Sequence, residues 1–191
     1  LTETQNQRAG FAAIIGAPNA GKSTLVNRLT GTKVSIVTQK VQTTRFPVRG
    51  IAIYGDAQIV LVDTPGIFSP RRRLDRAMVA SAWGGADDAD VVVHLVDAAS
   101  HIAAETKDGQ AADRRSAEDT ETIIANLKAT GTKVILALNK IDGMRRDTLL
   151  ALSHAMFETG VYSEVYMISA LSGDGVDDLG RRLAEAMPAG P

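Results

Sequence analysis

The sequence has no cysteine, no long apolar run and no excess of charge of either sign. Each absence closes off a class of protein. Without cysteine there can be no disulfide and no thiolate metal site, a composition that fits a reducing compartment. No apolar stretch approaches the ~18 residues that a membrane-spanning helix needs. The polar opening, Leu1-Thr-Glu-Thr-Gln-Asn-Gln-Arg8, holds no signal-peptide core. A net charge of −1 gives no strong overall pull toward nucleic acid or an anionic membrane. Histidine is scarce too. His101 and His154 are not read as metal ligands, and His94 lies in an apolar run and reads as a core residue. What remains is an ordinary soluble composition, 45% apolar and 23% charged, in 191 residues, enough for one α/β domain with a sizeable core.

The chain is organised around Gly16-Ala17-Pro18-Asn19-Ala20-Gly21-Lys22-Ser23. An apolar run, Phe11 to Ile15, precedes it and a helical run, Lys22 to Leu29, follows. In the order strand, loop, helix, the pattern G-x-x-x-x-G-K-[ST] reads as a phosphate-binding loop, not merely a glycine-rich turn. Backbone N–H groups turn inward to cradle phosphate oxygens, and the helix N-terminus adds partial positive charge. Lys22 is placed to reach the terminal phosphates and Ser23 to bind Mg²⁺ through its hydroxyl. These residues and Thr24 are candidate nucleotide contacts.

Six strands are expected. Phe11–Ile15 is the first; Arg49–Tyr54 and Gln58–Val62 form an antiparallel hairpin around Gly55-Asp56-Ala57. Val91–Val96 and Val134–Leu138 are continuous apolar runs suited to buried parallel strands, and Val165–Ile168 is the last. Helices are expected over 22–29, 74–83, 117–128, 147–157 and 176–187. Thr30-Gly31 is read as the stop of the first helix, and Ala98 to Ser116 as a polar loop or insertion. Strands alternating with helices imply a three-layer α/β/α fold on a mostly parallel six-stranded sheet with one antiparallel strand. Ligands bind at the carboxyl ends of the strands in such sheets.

Three more motifs fall at those ends. Asp63 closes the third strand beside the phosphate loop, where a carboxylate can hold Mg²⁺ through water. It opens Asp63-Thr64-Pro65-Gly66, in which the Gly66 amide could capture a terminal phosphate and release the following segment on hydrolysis. Asn139-Lys140-Ile141-Asp142 follows the fifth strand. A carboxylate at Asp142 can accept hydrogen bonds from the ring N–H and exocyclic amine of guanine, which adenine does not present, while the Lys140 stem lies along the base and Asn139 braces the loop. Ser169-Ala170-Leu171 can add a backbone N–H toward the base carbonyl. Arg71-Arg72-Arg73 reads as a solvated face or as a contact to RNA or another macromolecular partner.

In this order, these motifs resemble the Era-like group of P-loop GTPases over about residues 10–188. The stretch Ser35-Ile-Val-Thr-Gln-Lys-Val-Gln-Thr-Thr-Arg45 is similar to the branch that gives the group its name. It differs from the branches that act in tRNA modification. The resemblance implies a single GTP-binding domain over 1–191, GTP and GDP as ligands, Mg²⁺ held by Ser23, Thr44 and Asp63, and slow GTP hydrolysis carried by Lys22, Thr44, Gly66 and Asn19. The segment 32–45 would be the first switch, with Thr44 favoured over Thr43 as the metal ligand. It further implies a cytoplasmic role in maturing the small ribosomal subunit and its rRNA, mainly through a KH RNA-binding domain that should begin where this chain stops, and leaves room for peripheral membrane association of the full-length protein. Ile67 stands where Ras-type enzymes orient water with Gln. Asn19 is the candidate to seat a K⁺ ion in compensation, the alternative being a purely structural turn residue. A nucleotide-dependent binding module with negligible turnover is the competing reading.

Overall fold

The computed structural model describes residues 7–31, 46–63 and 89–190. The expected first switch with Thr43 and Thr44, the residues Thr64, Pro65, Gly66 and Ile67, the Arg71–Arg73 run and the helix expected over 74–83 lie outside them. The elements in chain order are β1 (Arg8–Gly16), α1 (Lys22–Thr30), β2 (Val48–Tyr54), β3 (Ala57–Val62), β4 (Val91–Asp97), α2 (Ala98–Ala103), α3 (Ala111–Thr130), β5 (Val134–Asn139), α4 (Arg146–Phe157), β6 (Tyr162–Met167) and α5 (Val176–Glu185).

The six strands form one sheet in the order β2-β3-β1-β4-β5-β6. β1 runs parallel to β3 and β4, β4 to β5 and β5 to β6; among the described strands only β2, at one edge, pairs antiparallel, with β3. Side chains alternate across a strand, so each apolar run feeds two cores. Ala12, Ile14, Ile59, Leu61, Leu95 and Ala137 join Leu25, Val26 and Leu29 of α1 and Leu179 and Leu183 of α5 on one face. Ala13, Ile15, Val60, Val96, Leu136 and Leu138 meet Ile123, Ile124 and Leu127 of α3 and Leu149 and Met156 of α4 on the other. This is the expected three-layer arrangement.

The stretch 98–116 departs from expectation. Instead of a loop, it holds all of α2 and the first turns of α3. Asp97 caps α2 by accepting from the Ser100 amide at 2.9 Å. Gln110 and Asp113 form a reciprocal capping box that starts α3 six residues before the expected helix. The chain's final residues return to the start of β1: the Gly190 amide donates to the Gln7 carbonyl and the Ala9 amide to that of Pro188. Among the described residues, no helix is long and apolar enough to cross a membrane.

Candidate nucleotide-binding site

The phosphate-loop sequence is shaped by two left-handed residues, Asn19 at φ 70° and Gly21 at φ 102°. Glycine takes that conformation at no steric cost, and asparagine tolerates it better than most residues. Gly16 has a second reason to be glycine, since a Cβ would run into the Leu95 carbonyl of the neighbouring strand. The Ala20 amide closes the turn onto the Ala17 carbonyl at 3.1 Å, and both alanines are buried. α1 begins at Lys22 with no side-chain cap. No side chain caps its opening amides, the arrangement that receives anions at a helix N-terminus.

Asn139, the last residue of β5, is buried and makes the central connection. Its Nδ2 donates to the Ala20 carbonyl at 2.9 Å, and its Oδ1 accepts the Ala170 amide, also at 2.9 Å. One side chain thus ties the phosphate loop to the loop after β6. The Ala170 amide, a candidate contact to the base, is engaged by Asn139 in this structure. Lys140 adopts φ 64°, a left-handed conformation uncommon for a side chain of its kind. Its Nζ donates to the Asn19 carbonyl at 2.8 Å and pairs with the Asp97 carboxylate at 3.0 Å. A sparsely populated backbone state at a motif residue, held by two charged contacts, is the kind of strain that collects at binding sites. Asp142 is exposed, and its Oδ2 accepts from the Ser169 hydroxyl at 2.9 Å. Ser169 is itself buried, and its Oγ also accepts the Ser172 amide at 3.1 Å.

Two cavities lie at this end of the sheet. The larger, about 370 Å³, is bounded by Gly21, Thr24 and the residues Asn139, Lys140, Asp142, Ser169, Ala170 and Leu171. The other, about 100 Å³, takes in Lys22, Ser23, Asn27, Arg49 and Asp63. A hydroxyl and a carboxylate on one wall offer the hard oxygen donors that suit Mg²⁺. In this structure the Asp63 carboxylate accepts from the Arg49 guanidinium, at 2.6 Å from Nη2 and 3.2 Å from Nε. Pro18 is exposed at the tip of the phosphate loop, Ile141 packs against the second core, and Leu171 stands 76% exposed at the rim of the larger cavity.

Thus the described motif residues 16–24, 63, 139–142 and 169–171 converge on one end of the sheet. Sequence reasoning passed over three others. Asp97, Arg28 and Arg49 all contact motif residues through tertiary geometry. Asp97 alone carried a local signal, being an acidic residue at the carboxyl end of a buried strand three residues before a serine.

A parallel sheet with a glycine-rich loop feeding a helix, and with polar loops gathered at its carboxyl edge, defines a P-loop nucleotide-binding domain. The chain belongs to the family described as 50S ribosome-binding GTPase, whose sequence profile matches residues 11–140. It is similar, at 66% identity over 192 aligned residues, to GTPase Era of Caulobacter vibrioides, covering 100% of this chain and 61% of that protein. Two solved structures share its fold. One is an Aquifex aeolicus Era variant bound to GDP·AlF4⁻, with TM-score 0.63 and 33% identity over 97% of this chain and 59% of that one. The other is Era in complex with MgGDPNP and nucleotides 1506-1542 of 16S ribosomal RNA, with TM-score 0.64 and 32% identity at the same coverage. The chain therefore spans about three fifths of the length of the relatives it matches.

Proposed function

We propose that this chain is the guanine-nucleotide-binding domain of an Era-type GTPase, acting as a slow nucleotide switch in small-subunit assembly and rRNA maturation. The observation that carries the reading is the Asn139 side chain, which joins the phosphate loop at Ala20 to the base loop at Ala170. A site that selects a purine base and holds its phosphates needs those two loops kept in register. Asp142 stands at the edge of the larger cavity with one oxygen held by Ser169, and we assign its other oxygen to accept from the guanine edge. The wrong base would leave that carboxylate unpaired, a loss that can reach roughly 10⁴–10⁵ in discrimination. Lys22, with the amides that open α1, neutralises the terminal phosphates.

Ser23 and Asp63 would hold Mg²⁺, joined by Thr44 from the first switch; the metal supplies charge neutralisation between the phosphates. Gly66 would read the terminal phosphate from the second switch. Asn19 is the proposed K⁺ ligand, and the relatives' complexes with GDP·AlF4⁻, MgGDPNP and 16S RNA support the ligand and partner classes. RNA contact is assigned mainly to a KH domain following this one, and the setting to the cytoplasm. A second reading, a nucleotide-dependent binding module with negligible turnover, draws on Ile67, which cannot orient water as a glutamine would.

The test is GTP and ATP binding with single-turnover hydrolysis, in Mg²⁺ with either K⁺ or Na⁺. Guanine-selective binding with slow, K⁺-stimulated turnover is expected. Equal rates in both salts would remove the role of Asn19. Tight guanine binding with no turnover would establish the module instead.

A further inference from the structure

Helix α1 does more than present the phosphate loop. Its Leu25, Val26 and Leu29 face the core, which leaves Arg28 on the outer side, turned toward the loop after β6. There the Arg28 guanidinium donates from Nε to the Ala170 carbonyl at 3.2 Å and from Nη2 to the Leu171 carbonyl. Gly173, at φ 96°, lets the loop turn close beneath the guanidinium. These carbonyls belong to the same short loop whose Ala170 amide is held by Asn139 and whose Ser169 hydroxyl holds Asp142.

The contacts close a ring. The phosphate loop is bonded at Ala20 to Asn139; Asn139 is bonded to Ala170; Ala170 is bonded to Arg28; and Arg28 lies on the helix that the phosphate loop begins. Asn139 fastens the ring from inside the protein, and Arg28 fastens it from solvent. Without Arg28, Asn139 would be the remaining hydrogen-bonding side chain, among the described residues, that ties this loop to the phosphate side.

We propose that Arg28 is a positioning residue for base selection, clamping the 169–171 loop onto α1 so that Asp142 and Asn139 are held in register with the phosphate loop. In this role it would act through the loop and not on the nucleotide itself. A charged fork donating to two successive carbonyls is suited to this task, because it fixes both the distance and the orientation of a loop that a single donor would leave free to swing. The inference rests on the guanine reading above.

The test is a competition assay against fluorescent GDP, reading the affinities for GDP and ADP and the GDP dissociation rate. Wild type is compared with Arg28→Met, which keeps the stem and removes the donors, and with Arg28→Lys. Loss of a charge-assisted contact at a partly exposed site predicts about a tenfold weaker GDP affinity for Arg28→Met, expressed mainly as faster release. The GDP-over-ADP preference should shrink by a similar factor, with ADP affinity and the ligand-free melting temperature nearly unchanged. Arg28→Lys, which keeps the charge as a single point and loses the planar fork, should fall between the two. An unchanged preference in Arg28→Met overturns the proposal. So does equal weakening of both nucleotides alongside a lowered melting temperature, since the residue would then be supporting the fold alone. A wild-type protein with no preference for GDP over ADP would overturn the guanine reading itself, which separates the two failures.

Discussion

Arg49 and Asp63 form an ion pair of 2.6 Å on the wall of the cavity that also holds Lys22 and Ser23. The carboxylate is the one proposed to reach Mg²⁺, so the guanidinium stands on it as a cation of the protein's own. Metal binding must then displace Arg49 or share the carboxylate with it. The pair is half-open to solvent on the arginine side, which limits its strength to about 1 kcal/mol. The Arg49→Ala variant should therefore reach half-saturation with GDP at an Mg²⁺ concentration up to about fivefold lower than wild type. Its ligand-free form should be slightly less stable. A Mg²⁺ titration of fluorescent GDP binding, with melting curves in chelator, checks both.

Asn139→Ala should be among the most damaging single changes in the described part of the chain. Both ends of the amide are used in a buried setting, by the Ala20 carbonyl and the Ala170 amide. Truncation leaves each without its partner, at about 1–3 kcal/mol per group. Water entering the space reduces that, so a net loss of about 2–4 kcal/mol is expected in urea unfolding. Nucleotide affinity should fall more steeply than stability, because the two loops lose their shared anchor. Similar losses in both would reduce Asn139 to a fold-supporting role.

The strands were legible because buried parallel strands leave continuous apolar runs such as Val91–Val96 and Val134–Leu138, and β-turn chemistry marked the β2–β3 hairpin. The candidate-site loops stood out in the sequence because the proposed chemistry demands particular residues at fixed spacing. The start of α3 was not. Residues 111–116 are two alanines and four polar residues, mostly solvent-facing, so they carry no apolar period, and their start signal is a capping box built on Gln110, an unusual cap. Nor could the chain order reveal the Lys140–Asp97 pair, the Arg49–Asp63 pair or the Arg28 clamp, which join residues distant in sequence or on different strands. The left-handed backbone of Lys140 was equally hidden, since nothing local demands it.

Base choice gives a third prediction. Ser169 donates to one oxygen of Asp142, so Asp142→Asn keeps an acceptor for that hydroxyl and changes mainly the group facing the base. An amide there offers a donor where guanine presents its own donors. The preference should move from guanosine toward xanthosine nucleotides, whose altered edge accepts from an amide. Competition of GDP and xanthosine diphosphate against a fluorescent nucleotide reads the exchange. Unchanged GDP affinity in the variant would mean that Asp142 does not face the base.

The last prediction concerns the core, away from the site. His94 is fully buried on β4, shares a hydrogen bond of 2.8 Å with the Tyr162 hydroxyl through Nδ1, and stacks on that ring. Burial, reinforced by nearby His101, pushes its pKa down from 6.5 to about 3. The sign follows from which state takes up the proton. Between 6.5 and about 3 the unfolded chain protonates this histidine and the folded chain does not, so stability is lost as pH falls through that window. The loss should be about 1.4 kcal/mol by pH 5.5 relative to pH 8, growing by a similar amount with each further unit. Replacing His94 alone would orphan the phenol, so the informative variant is His94→Leu with Tyr162→Phe. Urea unfolding at pH 8 and pH 5.5 should show the double variant losing about 1.4 kcal/mol less than wild type over that interval. An identical loss in both proteins would show that His94 takes up its proton without unfolding, contrary to the enclosure seen here.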